Sequence, residues 1–275
     1  MPEGPEVKLI CDQLNQSIGD SSIISLRIIG GRYARHGYPD NWQLLTDLLP
    51  IKINSINCKG KFIYFILSRE QTNRNIYLTN TLGMSGSWKH EKTPHAHLEM
   101  VTDKATIYFT DPRNFGTLKV IESQSEIDAK LKSLGYDVLD ENSSFNLEYM
   151  KNIVTQKPSM NITKFLMDQK YICGIGNYLK SEILYHSKIS PHRTLGSFHE
   201  DEIDILVTNI IEIPRKSYLS HGSSLLTYTD MYGNKGGHQF SLSVYRQKKD
   251  KNGYNVIQEN TADNRTTHWV REVQL

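Results

Sequence analysis

The chain opens MPEGPEV, which sets a proline and a glutamate at positions 2 and 3. Removal of Met1 would leave Pro2 with a free secondary amine. An α-amine titrates at about pH 8, so part of it is neutral at physiological pH and can attack carbon without the desolvation a lysine needs. A proline amine can form an iminium with a sugar aldehyde carbon, and the adjacent Glu3 could protonate a ring oxygen or shuttle a proton. The same dipeptide also suits an ordinary chain start, and alone it decides nothing.

Other segments carry chemistry of their own. In CGIGNYLKSEILY (173–185), Gly174 and Gly176 precede Asn177, which reads as the N-cap of a helix. Backbone N–H groups at the positive end of such a helix would seat a phosphate, although a plain capped helix start explains the residues equally well. Asp111, Arg113 and Phe115 in TDPRNFGT lie between two expected strands, where a cation and a ring could stack on or replace a base, or form a β-turn with a solvated arginine. Met84 in LGMSGSW could wedge into a partner or fill a gap in the core. His95 and His97 form an H-x-H whose alternation would put both rings on one strand face. No third ligand has recognisable spacing, so no metal is assigned.

These groups need a scaffold. The 275 residues are 38% hydrophobic and 23% charged, enough for one large domain or two smaller ones. Residues 4–18 have helical spacing at Val7, Leu9, Ile10, Leu14 and Ile18. Strands are expected near 23–30, 51–57, 61–68, 75–80, 96–102, 105–110 and 116–121. This makes the first 120 or so residues a β-sandwich with a leading helix. GYDVLDENSSF (135–145) reads as a hinge, and FNLEYMKNIVTQ, MNITKFLMDQ, NYLKSEILYHSKI and FHEDEIDILVTNIIEIPRKSYL as helices after it. Asn252-Gly253 marks a hairpin turn between VYRQKK and YNVIQ.

Net charge is +2, but residues 121–148 carry seven acidic against two basic side chains and residues 151–193 seven basic against two acidic. That change of sign fits a basic surface facing a polyanion, and equally ordinary surface variation. Three scattered cysteines (Cys11, Cys58, Cys173) and no C-x2-C pair argue against disulfides and a zinc ribbon, and for a reducing, intracellular setting. No secretory signal or membrane span is expected.

MPEGPEV, KGKF, LGMSGS, DPRNFG and GIGNYLKSEILY occur in this order over about 185 residues. With SLGYDVLD they closely resemble the formamidopyrimidine-DNA glycosylase/endonuclease VIII family of base-excision repair enzymes. The resemblance implies an α+β fold: an N-terminal β-sandwich with a leading helix (1–135), a hinge (136–146), a helix–two-turns–helix domain (147–240) and a finger (241–275). It implies Pro2 as nucleophile, Glu3 as catalytic acid, Lys61 as a catalytic and phosphate-contacting lysine, and Glu6 as a support of the site. Asn177 would bind phosphate, and Met84, Arg113 and Phe115 would fill the gap left by an everted base.

Two departures matter. The bacterial type ends in a four-cysteine zinc finger, whereas the tail here resembles the zincless finger of other members, a metal-free β-hairpin with Arg265 as its DNA-contacting arginine. Asn114 stands where many members have a second arginine, which weakens any detailed account of how the orphaned partner base is read.

The implied activity is a bifunctional glycosylase/AP lyase with no cofactor, working through a Schiff base and β,δ-elimination. Gly4 in PEGPE resembles the endonuclease VIII type and favours oxidised pyrimidines. A Gly-rich stretch at 227–240, placed where purine-specific members carry a lesion-covering loop, keeps 8-oxoguanine and formamidopyrimidine open. A non-catalytic damaged-DNA-binding protein is the alternative from another class. The expected partner is damaged double-stranded DNA, with single-stranded or bubble DNA also a candidate. The protein is expected to be a monomer located with the DNA, in nucleus or cytoplasm.

Overall fold

Helix α1 (Gly4–Ile18) buries Val7, Ile10, Cys11, Leu14 and Ile18, the stripe that helical spacing generates. Asn15 fastens it to the strand it covers: its side-chain oxygen accepts from the Ile56 N–H and its amide donates to the Ile56 carbonyl. The computed structural model describes residues 2–68, 74–140, 142–222, 231 and 242–275. It divides into two units: Met1–Pro2, Glu6–Ser133 and Ser224–Gly237 form one, and Glu3–Pro5, Leu134–Ser223 and His238–Leu275 the other.

In the first unit, β1 (Ser22–Ile28) is followed by α2 (Gly31–His36) and α3 (Trp42–Asp47). Then come β2 (Ile51–Lys59), β3 (Phe62–Ser68), β4 (Asn75–Thr81), β5 (Ser87–Lys89), β6 (Ala96–Thr102), β7 (Thr106–Thr110), β8 (Thr117–Ile121) and α4 (Gln124–Lys132). The strands run in the order β5-β7-β6-β1-β2-β3-β4-β8, with antiparallel pairings throughout. Register shifts in β1, β2 and β6 bend this sheet. Trp88 on β5 meets Phe65 on β3 at a ring separation of 5.6 Å although four strands separate them in the sheet order, so the sheet folds over as a sandwich. The Trp88 indole N–H donates to the Asn80 side chain at 3.1 Å, satisfying the polar atom of a fully buried ring.

Every expected strand is present within a residue or two, and β5 and helices α2 to α4 are additions. Their sequences explain why they escape notice: β5 is three residues long, α2 buries nothing, and α4 buries only Ile127 along a polar stretch.

The second unit holds β9 (Tyr136–Asp137), α5 (Leu147–Gln156), α6 (Ile162–Met167), β10 (Ile172–Cys173), α7 (Asn177–His186) and α8 (Glu200–Leu219). It ends with β11 (Ile257–Asn260) paired to β12 (Thr266–Trp269). Between α6 and α7 the chain makes two turns stitched by Gln169, which accepts from the Gly174 N–H and donates to the Ile175 carbonyl, both at 3.0 Å. The Asn252-Gly253 turn is present, with Gly253 at φ 86°. The segments flanking it meet through a Lys249–Asn255 bridge and the Tyr254 N–H donating to the Asp250 side chain, and the ladder of the finger forms further on, between β11 and β12. Most of the 227–240 stretch lies outside the described residues; Met231 is buried in the first unit's core, its N–H donating to the Gln13 side chain. Among the described residues no helix is long and apolar enough to cross a membrane.

Candidate functional site

In the first unit, the β4–β5 loop carries Met84 and the β7–β8 loop carries Arg113 and Phe115. Asp111, fully buried, organises both loops. It accepts from the Ser85 hydroxyl (2.5 Å), the Arg113 N–H (3.2 Å) and the Gly116 N–H (2.6 Å). The backbones approach so closely that a Cβ on Gly83 would stand 2.7 Å from the Gly116 nitrogen. Above this junction Met84 and Phe115 are 38% and 54% exposed, and the Arg113 guanidinium lies 5.2 Å from the centre of the Phe115 ring. Large apolar side chains held out of a core by a rigid loop are available to a partner.

Lys61 sits half-buried in the turn joining β2 to β3, where Lys59 pairs with Phe62 and Gly60 adopts φ 57°. Glu6 is buried in the first turn of α1, and Pro2 is buried just before that helix.

The second unit holds Glu3. Its carboxylate accepts the N–H groups of Gly176 (2.7 Å), Tyr178 (2.9 Å) and Leu179 (3.2 Å) at the start of α7. Hydrogen bonds to a charged acceptor are worth about 1.5–3 kcal/mol each, and an anion at a helix N-terminus also meets the favourable end of the dipole. Gly176 makes this approach possible: a Cβ there would lie 2.3 Å from the Glu3 carboxyl carbon. Gly4 likewise packs tightly, its N–H donating to the Gly174 carbonyl at 2.8 Å, and a Cβ would stand 3.2 Å from the Gly174 Cα.

This arrangement corrects the N-cap expectation for Asn177. Gly176 is the N-cap and Asn177 the first helical residue, and the N–H groups expected to seat a phosphate are taken by Glu3. The Asn177 amide donates instead to the Thr266 carbonyl at 2.7 Å, and its side-chain oxygen is buried with no partner. Thr266 follows the exposed Arg265, so Asn177 and Arg265 come to one corner of this unit.

Helix α7 is buried nearly all round, and several of its polar side chains bind the finger, while the Tyr178 hydroxyl pairs with Ser217 of α8. Glu182 accepts the N–H groups of Ser243, Val244 and Tyr245 at 2.8–3.0 Å. Burial still pushes its carboxyl above the usual range against these three donors. The Tyr185 hydroxyl donates to Asp250 at 2.9 Å; burial and that carboxylate push the phenol up to about 12. Lys180 pairs with Asp263 at 2.6 Å. The roles of Lys180, Glu182 and Gly176 were not read from the sequence. The available signal was charge inside an otherwise apolar helix, which demands a buried partner but does not say which.

The two histidines do not act together. His95 precedes β6 and is exposed, whereas His97 is buried with its ring edge-on to Phe109 at 6.0 Å. A register shift between Ala96 and Leu98 breaks the alternation on which a shared face depends. Burial lowers the His97 pKa more than nearby Asp111 raises it.

Residues 1–118 match the formamidopyrimidine-DNA glycosylase N-terminal domain, 134–228 its H2TH domain and 230–275 its C-terminal domain. The formamidopyrimidine-DNA glycosylase of Lactobacillus johnsonii is 31% identical over 252 residues, spanning 89% of this chain and 87% of the relative. That of Ligilactobacillus salivarius is 27% identical, spanning 100% and 99%. Lactococcus lactis Fpg bound to DNA containing an abasic site superposes with a TM-score of 0.85 at 26% identity, covering 99% of each chain. The same enzyme with DNA containing an oxidised pyrimidine gives 0.84 at 26% identity, again covering 99% of each chain. Matching domain by domain and along its whole length, the chain belongs to the formamidopyrimidine-DNA glycosylase family, whose members are DNA glycosylases with AP lyase activity.

Proposed function

We propose that the chain excises oxidised bases, pyrimidines foremost, from damaged double-stranded DNA and then cleaves the strand. The observation that carries the reading is the Glu3 carboxylate, held by three backbone N–H groups at the start of α7 and covalently next to Pro2. The Pro2 amine attacks C1′ while Glu3 moves the proton that lets the sugar ring open, the base leaves, and an iminium remains. The iminium acidifies the C2′ proton, and elimination releases the 3′ and then the 5′ phosphate. Lys61, Asn177 and Arg265 hold backbone phosphates. Met84, Arg113 and Phe115 occupy the space of the everted base, offsetting roughly a few kcal/mol of lost stacking. Glu6 supports the site from the first turn of α1.

The preference for pyrimidines rests on PEGPE alone. Gly4 also has a packing reason, its contact with Gly174, and this weakens its weight as a marker of substrate. A second reading is 8-oxoguanine and formamidopyrimidine, and the names of the curated relatives favour its formamidopyrimidine part. Parallel cleavage of duplexes bearing thymine glycol, dihydrouracil and 8-oxoguanine separates the two.

Catalysis itself is tested by borohydride trapping. Wild type should become covalently attached to thymine glycol DNA, and the mass of its N-terminal peptide should show Met1 removed. Pro2→Gly should abolish trapping, and Glu3→Gln should lower excision by about 10²–10⁴-fold. Wild-type activity in either variant would sink the mechanism and leave a DNA-binding protein without turnover.

A further inference from the structure

We propose that the buried Lys180–Asp263 ion pair is a positioning device that fixes the turn bearing Arg265, so that the phosphate contact of Arg265 depends on it. The inference rests on Arg265 being a phosphate contact.

The two charged side chains are 0% and 3% exposed and 2.6 Å apart. As adhesive this is a poor choice: removing two charges from water costs several kcal/mol per ion, and apolar residues of similar volume usually hold an interface as well or better. What the pair adds is direction. One Asp263 oxygen takes the Lys180 ammonium and the other takes the Thr261 hydroxyl, each at 2.6 Å. The Thr261 N–H and hydroxyl lie 3.1 and 3.2 Å from the Arg265 carbonyl, and the Asn264 N–H donates to the Thr261 carbonyl at 2.8 Å. Asn264 adopts φ 58°, which closes the turn. On the far side of Arg265, the Asn177 amide holds the Thr266 carbonyl at 2.7 Å. Arg265 itself is exposed, while the residues around it are tied to α7.

Electrostatics agrees with a charged pair. Burial works against the Asp263 carboxylate, but Lys180 and Thr261 outweigh it and hold this carboxyl below its usual range. Burial draws the Lys180 ammonium down, Asp263 opposes that, and the nearby Arg265 adds to the lowering. The carboxylate 2.6 Å from the nitrogen favours the charged form of the lysine.

The test is equilibrium binding to a duplex carrying a tetrahydrofuran abasic analogue, measured across a salt series. Arg265→Ala sets the reference: about tenfold weaker binding and a log K against log salt slope shallower by about 0.9. Asp263→Asn should reproduce both changes, and should add nothing in the Arg265→Ala background. The double variant Lys180→Met/Asp263→Leu should recover the thermal midpoint of wild type while keeping the shallow slope, which a merely structural role would not produce. A folded Asp263→Asn protein with the wild-type slope, additivity with Arg265→Ala, or restoration of slope by the apolar pair would each overturn the proposal. Loss of folding in both Asp263→Asn and the double variant would do the same, by making the pair a general support. If Arg265→Ala itself leaves affinity and slope unchanged, it is the reading of Arg265 that fails.

Discussion

Asp111 and Glu3 are both buried carboxylates that accept backbone N–H groups, yet they work at different ranges. Asp111 holds Arg113 and Gly116 of its own loop and Ser85 of the neighbouring one. Glu3 reaches Gly176, Tyr178 and Leu179, more than 170 positions along the chain. In the first case the acid shapes the segment that contains it, so the exposed Met84, Arg113 and Phe115 sit on a rigid base. In the second the helix shapes the acid: α7 fixes where the Glu3 carboxylate stands. One unit thus uses a carboxylate to build a surface, and the other uses backbone to fix a carboxylate.

This difference can be broken by substitution. The largest effect is expected for Gly176→Ala, whose new methyl would collide with Glu3. Displacement of a reacting group by about 1 Å costs on the order of 10²-fold in rate, and both base excision and cleavage of preformed abasic sites in single strands should fall together. Asp111→Ala should act more selectively. It leaves the Gly116 N–H without its Asp111 acceptor, at about 1–3 kcal/mol, while the Arg113 N–H keeps the Ser85 hydroxyl oxygen at 3.1 Å, and it should lower excision from duplex roughly tenfold with cleavage of single-stranded abasic sites preserved. Equal losses on both substrates would remove the distinction between a carboxylate that builds a surface and one that backbone fixes.

The smallest effect concerns pH, and it asks whether the two units melt together. Burial lowers the pKa of His97 in one unit and of His268 in the other from 6.5. Each is therefore neutral when folded at a pH where the unfolded chain binds a proton, so stability is full above pH 6.5 and is lost as pH falls below it. The slope is at most about 1.4 kcal/mol per pH unit for each histidine. Urea midpoints for wild type, His97→Gln and His268→Gln between pH 7.5 and 5.5 would show it. A flat profile for wild type would contradict the burial argument, and variants that flatten separate transitions would show two independent units.

How much of this was legible beforehand follows the same division. Strands of alternating or apolar sequence, the stripe of α1 and the four longer helices of the second unit are local patterns, and they were read nearly to the residue. The DPRNFG loop was readable too, because Asp111 and its partners Arg113 and Gly116 lie within six residues of one another. Three things were not. Asn177 fits an N-cap by type, but Glu3 displaced it from that task, and a bond across 173 residues leaves no local trace. Lys180 and Asp263 are unremarkable apart until the finger brings them together. His97 lost its shared face with His95 to a one-residue shift of register, which side-chain type does not announce.

The bond from Glu3 to the start of α7 also orders events in time. During synthesis Glu3 is made well before its donors, which lie 173 to 176 residues further on; at roughly 5–20 residues per second they follow about 9–35 s later. Until then the three N–H groups of α7 are missing from it. A nascent or prematurely terminated chain therefore carries Glu3 without the helix that fixes it, and this bond is completed late although one of its partners is made early.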